Sequence, residues 1–215
     1  MAATKSTEAY SRVRRDIVSG VIPANVTIDE AELGRRYGLG RTPIREALKQ
    51  LRNDQLLVWP DRRSPYVPEI GVGQVRSLYE ARTMFETQTA AVAAERITDT
   101  EAESLDRLVA EEADLVARGM PYEAVEVDLQ FHRGVAEATG NTFLVDASTR
   151  INVCALRIWH DMIATEEMLA TEHADIVEAL RRHDGDGAAD AARRHIANAY
   201  ERYIRMTSRI PSRTR

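Results

Sequence analysis

The sequence lacks the features that mark extracellular and membrane proteins. It has a single cysteine, Cys154, so no disulfide can form within the chain and a zinc site built from cysteines is excluded. No stretch approaches the roughly 18 consecutive apolar residues of a transmembrane helix. Residues 1–5 lack the apolar core of a signal peptide. These absences predict a cytoplasmic protein with no membrane partner.

Charge is distributed unevenly along the chain. The net charge of -5 argues against a nucleic-acid partner if it is taken over all 215 residues. Residues 1–70, however, hold 12 Lys or Arg and 9 Asp or Glu (net +3), whereas residues 71–215 hold 17 and 25 (net -8). Such an asymmetry predicts two modules with different partners.

The first module has the pattern of three short helices and a hairpin. Apolar spacing predicts a helix over 7–19. Asp29 is a suitable N-cap for a second helix, which ends at Gly38. A third helix begins near Pro43, a residue that the first turn of a helix tolerates. Two short apolar runs within 56–67 then predict a small hairpin.

The pattern of the second module predicts helices throughout. After a linker at 68–73 no segment has the alternation of a strand, and breakers such as Gly140 and Gly185 separate the periodic stretches. About six helices are predicted, at 74–96, 99–117, 121–138, 142–163, 165–183 and 186–208. The module is therefore predicted to be an all-helical bundle.

The third helix of the first module has two chemically distinct faces. One is apolar (Ile44, Ala47, Leu48, Leu51) and the other is basic (Arg41, Arg45, Lys49, Arg52). A basic face of this kind suits the major groove of DNA, although a basic stripe taken alone favours a solvated surface. The short helix and glycine turn before it, and the hairpin with Arg62 and Arg63 after it, favour DNA.

Residues 10–67 resemble the DNA-binding domain of the GntR family of bacterial regulators. The segment ELGRRYGLGRTPIREAL, residues 32–48, carries the resemblance, although Gly40 stands where Ser or Thr is usual and Ala31 where Arg is common. The resemblance implies a winged helix-turn-helix. Its implied operator contacts are Arg41, Thr42 and Arg45, with Arg62 and Arg63 at the wing; we add Arg35 and Lys49 as candidates.

Four side chains of the second module are predicted to point inward. Asp128 and His132 are four residues apart on one apolar stripe, and His173 and His195 each share a face with apolar residues. Burying such groups unpaired is costly, and imidazole with carboxylate suits a divalent metal. The alternative is that each is a core residue that bonds to a carbonyl group.

Residues 74–208 are similar to the FCD effector domain that accompanies this winged helix in the FadR subfamily. The residues that carry the similarity are DLQFH at 128–132, Gly140-Asn141, EHADI at 172–176 and His195-Ile196. The resemblance implies that Asp128, His132, His173 and His195 bind one divalent ion. Zinc is the first choice, with nickel or manganese as alternatives.

Arg82 has two interpretations. As a helix residue four positions before Glu86, it is compatible with a surface salt bridge. The family resemblance implies instead that it faces the cavity and binds the carboxylate of an effector. Arg150 is a second effector-binding candidate, and the acidic residues of helix 99–117 are interpreted as a solvated face.

Together these features predict a mostly α protein, with a winged helix-turn-helix at 1–70 and a helical effector-binding and dimerisation domain at 74–210. The predicted function is a DNA-binding regulator, a repressor, which binds operator DNA as a homodimer and responds to a small carboxylate at a metal-containing site. Two alternatives stay open: a regulator that responds to the metal itself, and a metalloenzyme that uses the Asp/His₃ site.

Overall fold

The computed structural model describes residues 4–164 and 171–209, and the chain divides into two compact units, Met1–Gly71 and Val72–Arg215. The first unit contains three helices, which are α1 (Lys5–Val18), α2 (Glu30–Tyr37) and α3 (Arg41–Asn53). Because α1 packs on α3, its buried residues and those of α3 form one core.

The turn between α2 and α3 is determined by local chemistry. The Asp29 side chain accepts from the backbone N–H groups of Ala31 and Glu32, as expected of an N-cap. Gly38 ends α2 in the left-handed conformation, with φ +67°. A Cβ on Gly34 would lie 3.0 Å from the carbonyl oxygen of Leu39. The close helix-turn-helix packing therefore requires a small residue at this position.

The predicted hairpin is present in a minimal form. Val58 and Tyr66 exchange two backbone hydrogen bonds, of 3.0 and 2.9 Å, and Thr27 pairs with the other side of Tyr66. These single bridges are the only β pairing among residues 4–164 and 171–209. Arg62, at the tip, has a left-handed φ of 58°.

The second unit contains seven helices within the described residues. They are α4 (Val72–Ala94), α5 (Asp99–Ala117), α6 (Pro121–Glu137), α7 (Thr142–Val153), α8 (Leu156–Ala164), α9 (Thr171–Arg181) and α10 (Gly185–Arg209). The prediction of one helix over 142–163 is wrong. The chain tightens at Cys154, where Ala155 N–H donates to the carbonyl of Asn152, and α8 starts anew. Residues 165–170 of the predicted fifth helix lie outside the described residues.

The core of the second unit lies between α4, α5, α6, α9 and α10. Small residues such as Ala90 and Ala192 allow α4 and α10 to pack closely, and Phe131 and Leu180 fill the centre. None of the helices that the structure describes is long and apolar enough to cross a membrane. The polar exceptions to this apolar core form the candidate site.

Candidate DNA interface and metal centre

A concave basic groove of about 1110 Å³ lies between α2, α3 and the wing. Five exposed arginines line it: Arg35, Arg41, Arg45, Arg62 and Arg63. Thr42 and Lys49 are also exposed on α3, and Lys49 pairs with Glu46 at 2.8 Å. The structure thus brings the predicted DNA-contacting side chains to one side of the first unit, where they can meet phosphates and base edges.

Two carboxylates, Asp29 and Glu30, line this basic groove, and Asp29 caps α2. Glu30, the first residue of α2, has Oε2 3.5 Å from Nε of Arg41 and Oε1 3.6 Å from Nε of Arg45. Its side chain is only 16% exposed. Both contacts use the Nε atom, so neither involves the terminal nitrogens of the two arginines. The sequence analysis missed Glu30, because its role depends on how α2 crosses α3.

In the second unit, the three predicted histidines each face a carboxylate through Nδ1. Nδ1 of His132 lies 2.7 Å from Glu86, Nδ1 of His173 2.9 Å from Glu112, and Nδ1 of His195 3.3 Å from Glu172. A carboxylate accepts hydrogen bonds, so each Nδ1 carries the proton. In the neutral ring, Nε2 then keeps its lone pair. Carboxylate–histidine pairs of this kind orient metal-binding imidazoles.

The three imidazoles converge on one buried point beside Asp128. One ring nitrogen from each of His132, His173 and His195 lies within 4.8 Å of the other two. The Asp128 carboxylate faces two of them: Oδ1 is 3.5 Å from Nε2 of His173, and Oδ2 is 3.8 Å from Nε2 of His132. Both Asp128 oxygens and His173 Nε2 are buried and have no hydrogen-bond partner. A bound cation would satisfy these three atoms.

Two protein families match the sequence. The FCD domain matches residues 77–198, and the family described as "Bacterial regulatory proteins, gntR family" matches residues 5–67. The chain belongs to the GntR family and carries an FCD domain. The basic groove falls in the gntR match, and the Asp128 cluster falls in the FCD match.

Curated relatives and solved structures agree with this assignment. The transcriptional repressor RspR of Escherichia coli K12 is 27% identical over 197 residues, which cover 90% of this chain and 86% of RspR. The galactonate operon transcriptional repressor of the same strain is 25% identical, with 96% of this chain and 100% of that protein covered. E. coli McbR/YncC has the same fold, with a TM-score of 0.75 at 20% identity over 94% of this chain and 100% of that one.

This GntR-family protein is therefore a DNA-binding transcription regulator and not an enzyme, as the sequence analysis predicted. The prediction of a mostly α fold, with a winged helix-turn-helix followed by a helical FCD domain, is also confirmed.

Burial and neighbouring charges determine the protonation of the cluster. Burial, together with the charge of Glu112, raises the pKa of Asp128 to about 6. Burial lowers the pKa of His173, but the carboxylate of Glu112 outweighs it and the net shift is upward. Burial and the nearby His173 lower the pKa of His195 to about 3, so this ring stays neutral. A divalent ion would compete mainly with protons on Asp128 and His173.

Arg82 is fully buried at the edge of the cluster. Its Nε donates to Glu86 at 2.7 Å and to Oδ1 of Asn152 at 3.1 Å, and its guanidinium lies 4.7 Å from the Trp159 ring centre. Burial favours the neutral acid, yet Arg82 and His132 hold the pKa of Glu86 well below its usual range. The Arg82–Glu86 salt bridge is thus present, but inside the bundle rather than on the surface.

Arg150, by contrast, is exposed on α7 and takes no part in the cluster. Its role in effector binding stays a prediction. Positions two apart on a helix are separated by about 200°. Asn152 therefore faces inward and contacts Arg82, while Arg150 faces solvent.

A small cavity lies at the edge of the cluster. Its volume is about 20 Å³, and it is lined by Glu86, His132 and Ser148 among others, whereas Asp128, His173 and His195 do not line it. That volume holds about one water molecule.

The glutamates of the cluster are residues that sequence reasoning missed. Glu112 was assigned to a solvated face of α5, but it is completely buried. A signal was available, because Glu112 lies seven residues after Leu105 and three before Leu115, both of which are buried on the same helix face. Glu172 is also bound by Arg202 through two contacts of 2.8 Å, so His195 is oriented by a fixed carboxylate.

Proposed function

We propose that this protein is a repressor that binds operator DNA as a homodimer, and that a divalent metal and a small organic acid in its FCD domain control that binding. Asp128, His132, His173 and His195 would hold the metal, with zinc the best match to three imidazoles and a carboxylate. A bound ion supplies a Lewis-acidic anchor for the acid. Action on DNA would place the protein in the cytoplasm.

One observation carries the metal proposal. The two Asp128 oxygens and His173 Nε2 are buried without a hydrogen-bond partner, and Asp128 faces Nε2 of both His132 and His173. Orphaned polar atoms at this depth cost about 1–3 kcal/mol each in a folded protein. The Nδ1–carboxylate pairs support the same proposal, because they leave Nε2 of each neutral ring without a proton.

The effector class is proposed from Arg82. Its Nη1 is buried and has no hydrogen-bond partner, so the guanidinium has a donor to offer. A carboxylate is the group that best matches such a donor beside a metal. The names of relatives such as the galactonate operon repressor also support an acid effector and a repressor role.

Dimerisation is proposed from the DNA-binding unit. A single winged helix covers one half-site, and two-fold symmetric proteins bind operators with two-fold symmetry. Sedimentation equilibrium at micromolar concentration should give twice the chain mass of 24.1 kDa. A monomer that also binds DNA as a monomer would contradict this part of the proposal.

The decisive experiment combines elemental analysis with native mass spectrometry of the purified protein. We expect about one equivalent of zinc, nickel or manganese per chain, and its loss in His173→Ala. DNA binding measured with and without metal, and with candidate acids, then identifies the signal. Metal-free protein whose melting temperature does not respond to any of the three ions would contradict the metal site.

A second candidate function is a regulator for which the metal itself is the signal. The observation that favours it is that a cation alone would satisfy the orphaned atoms of the cluster, which are both Asp128 oxygens and His173 Nε2. If metal alone changes operator affinity and no acid adds to the effect, this second function is correct.

A further inference from the structure

We propose that Arg82 competes with the metal for Nε2 of His132, so that metal loading releases the outer edge of Arg82 for a carboxylate. This inference rests on the metal site proposed above. It concerns the coupling between the two ligands at that site, where binding of the metal favours binding of the acid.

The first step is the tautomer of His132. Its Nδ1 lies 2.7 Å from Oε2 of Glu86, which can only accept, so Nδ1 carries the hydrogen. Nη2 of Arg82 lies 3.3 Å from Nε2 on the other side of the ring. A guanidinium nitrogen has no lone pair to offer, so Nε2 must be the acceptor in this contact.

The second step is that Arg82 and a metal ion cannot both bind Nε2 of His132. Nε2 of an imidazole has one lone pair in the ring plane, which can accept from Arg82 or bind a metal, but not both. Nε2 is also the nitrogen that faces Asp128, with Oδ2 of that proposed ligand 3.8 Å away. The Arg82 contact therefore occupies the lone pair of one of the four proposed ligands. The positive charge of the guanidinium also repels a divalent cation at the site.

The third step concerns what Arg82 gains from its displacement. Glu86 and Asn152 hold the Nε edge at 2.7 and 3.1 Å, and these contacts do not involve His132 Nε2. Nη1 already has no partner. Nη2 also contacts Oε2 of Glu86 at 3.5 Å, so displacement from His132 would free one of its two N–H groups. The two terminal nitrogens then form the planar pair of donors that binds a carboxylate with two hydrogen bonds.

Glu86 is the positioning residue in this arrangement. One carboxylate holds both competitors, with Oε1 on Arg82 and Oε2 on His132, and all three side chains are buried. It keeps Arg82 close enough to reach His132 and prevents its departure when the metal enters. Positive coupling between metal and acid follows, since each favours the released position of Arg82.

The test measures zinc affinity by competition with a chromophoric chelator. The variant is Arg82→Met/Glu86→Gln, which removes one charge of each sign and leaves an amide oxygen that can accept from His132 Nδ1. Because a hydrogen bond to a charged group has been removed from Nε2, we expect zinc to bind about 10- to 100-fold more tightly than to wild type. Glu86→Gln alone retains the competitor and should bind zinc no more tightly than wild type.

Arg82→Lys provides a second variant that keeps the charge and the Glu86 pair, should the double variant fail to fold. An ammonium group has no second planar nitrogen to reach His132, so zinc should again bind more tightly. In wild type, zinc should also move the ¹⁵N resonances of the Arg82 terminal nitrogens.

The outcomes separate the two proposals. If wild type binds zinc but neither Arg82 variant binds it more tightly, the competition is overturned while the metal site stands. If the Arg82 variants bind zinc and wild type does not, Arg82 prevents zinc binding in wild type and the competition is supported. If no variant binds zinc, the metal site and this inference both fail.

Discussion

Glu112 and His173 form a completely buried pair, with Oε2 of the carboxylate 2.9 Å from Nδ1 of the imidazole. The opposite nitrogen of the ring lies 3.5 Å from Asp128. The glutamate comes from α5, a helix that supplies none of the four proposed metal ligands. It fixes the ring orientation of His173 and polarises the imidazole, which raises its basicity as a ligand.

Loss of the Glu112 charge should weaken metal binding. Glu112→Gln keeps an oxygen that can accept from Nδ1 but removes the negative charge, and we expect zinc affinity to fall by about 10- to 100-fold. Glu111→Gln changes the exposed neighbour on the same helix and should leave zinc affinity unchanged. Equal zinc affinities for the two variants would show that the Glu112–His173 pair serves packing alone.

Metal binding should release more protons at pH 5.5 than at pH 8, because Asp128 is largely protonated at the lower pH and ionised at the higher one. The pKa of Asp128 is raised to about 6 and that of His173 is also raised, so each holds a proton that metal must displace as pH falls. His195 should contribute little, because its pKa is lowered to about 3. Calorimetry of zinc binding at pH 5.5 and 8, in buffers of different ionisation enthalpy, measures the protons released.

The same shifts determine how stability depends on pH. In the metal-free fold, Asp128 has a higher pKa than the roughly 3.9 of an unfolded chain, so its ionisation costs stability as pH rises through about 6. A bound metal removes that cost, so the stabilisation that the metal provides increases as pH rises through about 6. The increase in melting temperature on zinc addition should therefore be larger at pH 8 than at pH 5.5. An equal increase would contradict the raised pKa.

Features that depend on the periodicity of a single helix could be predicted from the sequence. The basic face of α3 and the inward positions of Asp128 and His132 depend only on spacing within one helix, and the structure places them as expected. Pairing between helices was not predictable. Which carboxylate meets which histidine depends on helix crossing, so Glu86 and Glu112 were missed. The break at Cys154 has no glycine or proline to mark it.

Arg45 should contribute to both affinity and specificity for DNA. It lies in the basic groove, and Arg45→Ala should cost about 1–3 kcal/mol of operator binding if it contacts a base edge. The slope of log Kd against log salt should also decrease if it meets a phosphate. Arg107→Ala removes an equal charge from an exposed position on α5 and serves as the control. Matching operator affinities for the two variants would exclude Arg45 from the interface.

Glu30 should sharpen the preference for operator over random DNA while weakening affinity for both. Its carboxylate opposes phosphate in the groove, yet it holds Arg41 and Arg45 through their Nε atoms at 3.5 and 3.6 Å. Glu30→Gln should therefore bind random duplex more tightly, because a repulsive charge is gone. Binding to the operator should gain less or decline, because two guanidinium groups lose the orientation that matches base edges.

The measurement is the ratio of Kd values for random duplex and for an operator selected with the wild-type protein. We expect this ratio to fall by about tenfold in Glu30→Gln, since each well-placed base contact contributes about 1–3 kcal/mol of discrimination. Glu32→Gln, an exposed residue of the same helix, removes the same charge and should leave the ratio unchanged. If both variants strengthen operator and random binding equally, Glu30 acts only as a repulsive charge and does not orient the two arginines.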